Sequence, residues 1–271
     1  LTAPSVDAVE LAWLRGYLAG RTGVVVPDDR PDFLSGRLGA VLRAHRLDGI
    51  KQLAEEIRGG NRVVLGAAID ALTTHETSFF RDPDVWAWLE LEGLPALVAG
   101  AAGREFTAWS AACSTGQEPL SLAMLLAERW PGLAFRVAAT DISPGTIERA
   151  RTGMYPVLEV NRGLPARRLA RWFVRTGLEY RVQPELLARV HYTVHSLLDR
   201  GGPAGPFDLV MLRNVLIYLG EHDREQAFRN LAMAVRPGGI VVLGTAEMLI
   251  EPPAGLFTRA RASKTSWLVR T

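Results

Sequence analysis

The sequence predicts an α/β fold: a mostly parallel sheet covered on both faces, preceded by a small all-helical unit and interrupted by a small antiparallel β insert. Three observations predict it. After about residue 105, short apolar runs of strand length alternate with helix-length segments, as in strand–helix–strand units. Before that point no strand pattern occurs. Between about residues 157 and 195 the alternation breaks into shorter pieces.

Residues 1 to about 75 read as helices with short breaks. The clearest runs from about Pro31 to Arg46, with Leu34, Leu38, Val41, Leu42 and His45 on one stripe. Arg37, Arg43 and Arg46 cover its remaining surface. Pro31 suits a first helical position, and Gly49 follows the expected end. "EFTAWSA" then reads as the first strand and "EPLSLAMLLAERW" as a helix with Pro119 in its first turn. "AFRVAATD" is the next strand, followed by Ser143-Pro144 as cap and first-turn residue. "FDLVMLRN" reads as a third, buried strand. "DREQAFRNLAMAVR" reads as a helix closed by "PGG", "GIVVLGTAE" as a fourth strand and "TSWLVRT" as a terminal one. In the irregular stretch, "LPARRLARWFVRTG" looks helical, and "LEYRV" and "ARVHYTVH" look like strands of the insert.

Composition bounds the class without naming the chemistry. The chain has 271 residues, 48% hydrophobic and 22% charged, enough for one large domain or a medium one with a smaller companion. Its single cysteine, Cys113, forbids an internal disulfide, suits a reducing cytoplasm and is expected as a small buried filler. No apolar run approaches the roughly 20 residues of a membrane span. The N-terminal stretch lacks the basic start and apolar core of a signal peptide. A cytoplasmic location is therefore expected, without membrane insertion. A formal net charge of +2 is too small to argue for nucleic acid. His45, His191 and His195 show no metal-ligand spacing with acids or Cys113, so no metal is expected.

In open parallel sheets, ligands bind beyond the carboxyl ends of the strands. After the first strand come small residues, Ala111 to Gly116, that let a ligand approach the backbone; plain turn chemistry would use the same residues. The stretch is not GxGxxG, which disfavours a dinucleotide. Glu118 at the start of the next helix opposes a triphosphate and suits a cationic ligand, or merely complements the helix dipole. Asp141 ends the second strand, where an acid accepts from both ribose hydroxyls, and the same "DISP" also reads as a helix cap. A ribose, no phosphate and an acid near the loop suggest a nucleoside such as S-adenosylmethionine.

Five segments then stand together: "TTHETSFFRD" at 73–82, "WSAACSTGQEPLSLAM" at 109–124, "ATDIS" at 139–143, "FDLVMLRNVLIYL" at 207–219 and "RPGGIVVLGTAE" at 236–247. In order and spacing they resemble the chemotaxis receptor methyltransferase family, CheR, over nearly the whole chain. The resemblance implies a Rossmann-like S-adenosylmethionine-dependent methyltransferase domain over 85–271, with a small β subdomain within about 157–195. It implies a helical domain over 1–75 and a linker over 76–84 that closes over the cofactor. His75, Thr77 and Arg81 would approach S-adenosylmethionine, with Arg81 beside its carboxylate or the reacting centre. Glu118 would contact the amino-acid end, Asp141 the ribose, and Ser196 and Leu197 the adenine. Leu212, Arg213 and Asn214 would line the pocket, with Tyr218 near the transferred methyl. The implied reaction esterifies glutamate side chains on the cytoplasmic domains of methyl-accepting chemotaxis receptors, leaving S-adenosylhomocysteine. The protein is expected to act as a monomer.

The same residues have plainer readings. Phe79 and Phe80 are expected to pack. Arg81 alone would pair with Asp82 or Asp84, and Tyr218 alone would be core or surface. His75 and Ser196 stand where the family commonly has asparagine, and both keep hydrogen-bonding ability. Leu120 stands where tyrosine is common. The family's insert can hold a peptide at the receptor's tail; here its turn between Arg175 and Tyr180 looks short, which counts against that contact. The alternatives are a methyltransferase of the same fold with another substrate, and a non-catalytic S-adenosylmethionine-binding signalling module. "RNVLIY" stands where amino-group methyltransferases often carry an Asn/Asp-Pro-Pro-aromatic element, which disfavours that substrate class.

Overall fold

The computed structural model describes residues 6–25, 31–262 and 265–271. Four helices come first: α1 (Val6–Thr22), α2 (Pro31–His45), α3 (Ile50–Arg58) and α4 (Arg62–Leu72). They share a core of their own, in which Leu14, Leu18, Leu34, Leu38, Leu53 and Ala68 are buried. On α2 the expected stripe is present, with Leu34, Leu38 and Val41 buried and Leu42 and His45 partly so. Arg37 departs from expectation. Its guanidinium folds back to donate to the carbonyls of Ala71, Leu72 and Thr73. A long flexible cation thereby caps the unsatisfied last carbonyls of α4 instead of facing water.

Two short helices, α5 (Pro83–Trp88) and α6 (Leu94–Gly100), are joined by a π-turn and lead into the sheet. There follow β1 (Phe106–Ala111), α7 (Gln117–Arg129), β2 (Phe135–Asp141) and α8 (Pro144–Thr152). The insert comprises β3 (Met154–Pro156), α9 (Val157–Val160), α10 (Ala166–Trp172), β4 (Phe173–Thr176) and β5 (Glu179–Val182). The chain continues through α11 (Pro184–Leu187), β6 (Val190–Val194), β7 (Phe207–Leu212), α12 (Glu221–Ala234), β8 (Val235–Leu243), β9 (Phe257–Ala262) and β10 (Thr265–Arg270). Ser143 caps α8 by accepting from the Thr146 N–H, and Pro144 opens the helix. No helix among the described residues is long and apolar enough to cross a membrane.

Seven strands form the main sheet in the order β6-β2-β1-β7-β8-β10-β9. The pairs from β6 to β8 are parallel; β10 runs antiparallel to β8, and β9 to β10. From β1 the chain first builds outward to β2 and β6, then returns to place β7 on the other side. The strand order therefore reverses at β1 and β7, where such sheets open a crevice. Alternate residues of β7 serve different cores: Leu209 and Met211 pack under α7, Val210 and Leu212 under α12.

Four elements differ from the sequence reading. "ARVHYTVH" is not part of the insert: β6 joins the main sheet parallel to β2, with Tyr192 opposite Ala139. As an edge strand it exposes one face, and that alternation looks like a small antiparallel strand. The insert's own three-stranded sheet is β3-β5-β4, so it begins earlier than expected and ends at Val182. The end of the apparent helix "LPARRLARWFVRTG" is β4, which pairs Thr176 with Glu179 across the two-residue turn Gly177-Leu178. The outer strand β9 escaped notice because its arginines interrupt the apolar pattern.

Candidate active site

The carboxyl ends of β1, β2 and β7 open into a cleft of about 930 Å³, counted to its open mouth. Its floor is the loop from Ala112 to Gly116. Gly116 has φ +95, and a side chain there would strike the hydroxyls of Tyr155 and Tyr192, so glycine is required twice over. Tyr155 holds this loop from below, donating to the Thr115 carbonyl at 2.8 Å.

Asp141, at the end of β2, is 8% exposed and faces the cleft. One oxygen accepts from the Ser114 N–H at 2.8 Å and the other from the Ser143 N–H at 3.0 Å. Burial pushes its carboxyl up; the two N–H groups and the nearby His75 pull it back down. A carboxylate carries about four acceptor sites, so lone pairs remain for a vicinal diol.

Glu118, in the first turn of α7, accepts from the Ser110 hydroxyl at 2.7 Å and pairs with Arg213 at 2.9 Å. Arg213 has a side chain only 1% exposed and organises the surrounding wall. It also pairs with Asp82 at 2.8 Å and donates to the Arg81 carbonyl at 2.6 Å, an oxygen that the Trp86 indole N–H also reaches. Phe80 and Asp82 both have positive φ, so the linker crosses the cleft in a conformation that needs such restraint. Phe79 and Phe80 are buried, and the Phe80 N–H donates to the Ser121 hydroxyl. On the insert side, Arg162 pairs with Glu76 at 2.6 Å, and Gly163 admits the Phe79 carbonyl where a Cβ could not fit.

The Arg81 side chain lines the cleft and donates to the Glu76 carbonyl at 2.9 Å, while Asp82 is engaged by Arg213. The Nε2 of His75 lies 3.0 Å from the Asp70 carbonyl, which can only accept; Nε2 therefore bears the proton, and in the neutral ring Nδ1 is an acceptor. Ser196 closes the far end, accepting from the Leu198 N–H and reaching the Arg21 carbonyl at 3.4 Å. Tyr218 stands at the mouth, 39% exposed, and no hydrogen bond among the described residues holds its side chain.

Thus His75, Thr77, Arg81, Glu118, Asp141, Ser196, Leu197, Arg213, Asn214 and Tyr218 all line one cleft. Leu212 does not. Its side chain is fully buried under α12, because the residue two positions after Val210 repeats that strand face. Thr22, Val24 and His195 also line the cleft and were not foreseen. Thr22 and Val24 arrive through an antiparallel bridge between Val24 and Leu219, a tertiary contact without a local sequence signal. His195 directly follows β6, so its place depended on assigning that strand to the main sheet.

The cleft fits a nucleoside bearing a cationic amino acid. It offers a buried diol acceptor in Asp141, an acid in Glu118 for an ammonium and a cation in Arg81 for a carboxylate. Comparison with known proteins gives the same answer. Residues 75–263 match the family described as CheR methyltransferase, SAM binding domain. The chain is 33% identical to chemotaxis protein methyltransferase 1 of Pseudomonas aeruginosa, over 88% of this chain and 90% of that one. It is also 33% identical to a chemotaxis protein methyltransferase of Vibrio parahaemolyticus, over 92% of each. A Salmonella typhimurium chemotaxis protein methyltransferase is 35% identical, over 84% of this chain and 79% of that one. The chain therefore belongs to the CheR methyltransferase family and uses S-adenosylmethionine as its cofactor.

Proposed function

We propose that the protein methylates glutamate side-chain carboxylates on the cytoplasmic domains of methyl-accepting chemotaxis receptors, giving methyl esters for sensory adaptation. The observation that carries this reading is the position of Tyr218, at the open mouth of a cleft whose inner wall holds Asp141 and Glu118. A protein-borne acceptor needs such an open approach. The names of the relatives support a role in chemotaxis.

Bound S-adenosylmethionine supplies an electrophilic methyl on a sulfonium. His75, Thr77, Arg81, Glu118, Asp141, Ser196, Leu197, Arg213 and Asn214 hold it, with Asp141 at the ribose and Glu118 at the ammonium. The acceptor carboxylate, with an ordinary pKa near 4.3, is already ionised at neutral pH. No side chain has to remove a proton. Positioning and exclusion of water are the contributions left to the protein. Arg81 and Tyr218 orient the reacting groups. Arg81→Ala and Tyr218→Phe are each expected to lower kcat on the order of 10- to 100-fold while shifting Tm little. Full activity in both variants would remove these two residues from the reaction.

Docking on the acidic receptor bundle is assigned to the exposed Arg43, in the last turn of α2, and Arg46, in the turn just after it; Arg37 is engaged in capping α4. Reversing both charges is expected to raise KM for receptor and flatten its salt dependence, leaving cofactor affinity alone. The test of the reaction class is labelled methyl transfer to purified receptor cytoplasmic domains followed by alkali. A carboxyl ester releases labelled methanol; label that stays on the polypeptide in base means another acceptor.

A further inference from the structure

Glu247 lies in the short turn after β8, at the carboxyl edge of the sheet, and is fully buried. Its carboxylate accepts four backbone N–H groups: Asn214 at 2.8 Å and Gly244 at 2.9 Å on one oxygen, Val215 and Leu216 at 2.7 Å each on the other. Three of these donors are consecutive residues of the loop that leaves β7. Successive N–H groups converge on one point only when the backbone curls, and Asn214 accordingly has φ +58. Asparagine tolerates that region better than most non-glycine residues, and the anion inside the curl satisfies the N–H groups gathered there.

The loop matters because it carries Arg213, Asn214, Val215, Tyr218 and Leu219 on the cleft wall. Its two ends are fixed by the buried Arg213 and by Leu219, which bridges Val24; between them only Leu216 is buried, whereas Ile217 is 40% and Tyr218 39% exposed. Among the described residues no cation pairs with Glu247. Burial pushes its carboxyl up, while the N–H groups of Asn214, Gly244, Val215 and Leu216 pull it back. A protonated acid would aim its O–H at backbone donors with no acceptor among them, so the geometry requires the anion.

We propose that Glu247 is a positioning residue for methyl transfer, the anion around which the loop bearing Asn214 and Tyr218 is folded. The importance of Tyr218 rests on the functional reading above; the holding of the loop does not.

The experiment pairs amide hydrogen exchange with kinetics on the full chain, for wild type, Glu247→Gln and Glu247→Asp. The Gln variant keeps the size but turns an NH2 group toward N–H donors. Its amides at 214–216 are expected to exchange at least about tenfold faster, the rest of the sheet staying protected. Its kcat on receptor fragments is expected to fall about 100-fold. Its affinity for S-adenosylhomocysteine should fall less than about tenfold, since Asp141 and Glu118 are untouched. Glu247→Asp keeps the charge on a shorter arm and should recover part of both losses; it decides the matter if the Gln variant fails to fold. Wild-type exchange and kcat in the folded Gln variant, or no recovery at all in the Asp variant, would overturn the proposal. So would uniform loss of protection across the sheet, which assigns Glu247 to general stability. Wild-type chain that methylates no receptor fragment, with the exchange difference intact, would overturn the functional reading and leave loop holding supported.

Discussion

Asp141→Asn is expected to weaken S-adenosylmethionine and S-adenosylhomocysteine binding by at least about 100-fold, with the chain still folded. Two charge-assisted hydrogen bonds from the ribose are worth about 1.5–3 kcal/mol each, and the neutral amide offers one acceptor oxygen in place of two. An amide there also sets an NH2 group against the Ser114 or Ser143 N–H. The pH dependence follows from the same carboxylate. Burial holds its pKa above the ordinary aspartate value, so affinity should decline on acidification earlier than an exposed aspartate would allow. The Asn variant should lack that decline. The sign for stability is opposite: a folded-state pKa above the unfolded one makes the ionised group a cost to the empty fold, removed as pH falls through that value. A charge retained at such a position is explained by binding rather than by stability. Isothermal titration across pH checks both statements.

Arg213→Met is expected to have the largest effect on stability. The guanidinium is nearly inaccessible and serves Glu118, Asp82 and the Arg81 carbonyl together. Removing it leaves Glu118, itself only 12% exposed, without its counter-ion and the left-handed Asp82 without its anchor. Breaking a buried pair from one side costs about 3–5 kcal/mol, a fall in Tm on the order of 10 °C for a chain of this size. Adding Glu118→Gln to Arg213→Met should restore part of the lost Tm without restoring cofactor affinity. Strictly additive losses would show that the pair is not coupled.

The parts legible in the sequence are those written in local pattern. Strand–helix alternation gave the parallel sheet, and the ends of β1 and β2 gave Glu118 and Asp141. What escaped depends on contacts far along the chain. Strand β6 alternates because it is an edge, not because it belongs to the insert. The family resemblance implied Leu212 at the pocket, and β7 is buried on both faces, so alternation could not correct its side. Arg37 looked like surface charge because nothing local says that its guanidinium reaches the end of α4, some 34 residues on. Glu247 closes the "RPGGIVVLGTAE" segment, yet no pattern says that it grips residues 214–216. The linker's dependence on Arg213 and Ser121 is equally invisible until the chain is folded.

A crystal structure of the protein with S-adenosylhomocysteine tests the assignment of this cleft most directly. The ribose hydroxyls should lie within hydrogen-bonding distance of Asp141, the amino group should face Glu118, and the sulfur should point toward Tyr218 at the mouth. A nucleoside seated elsewhere, for instance in the groove between Arg62 and Pro144, with Asp141 left to solvent, would contradict it.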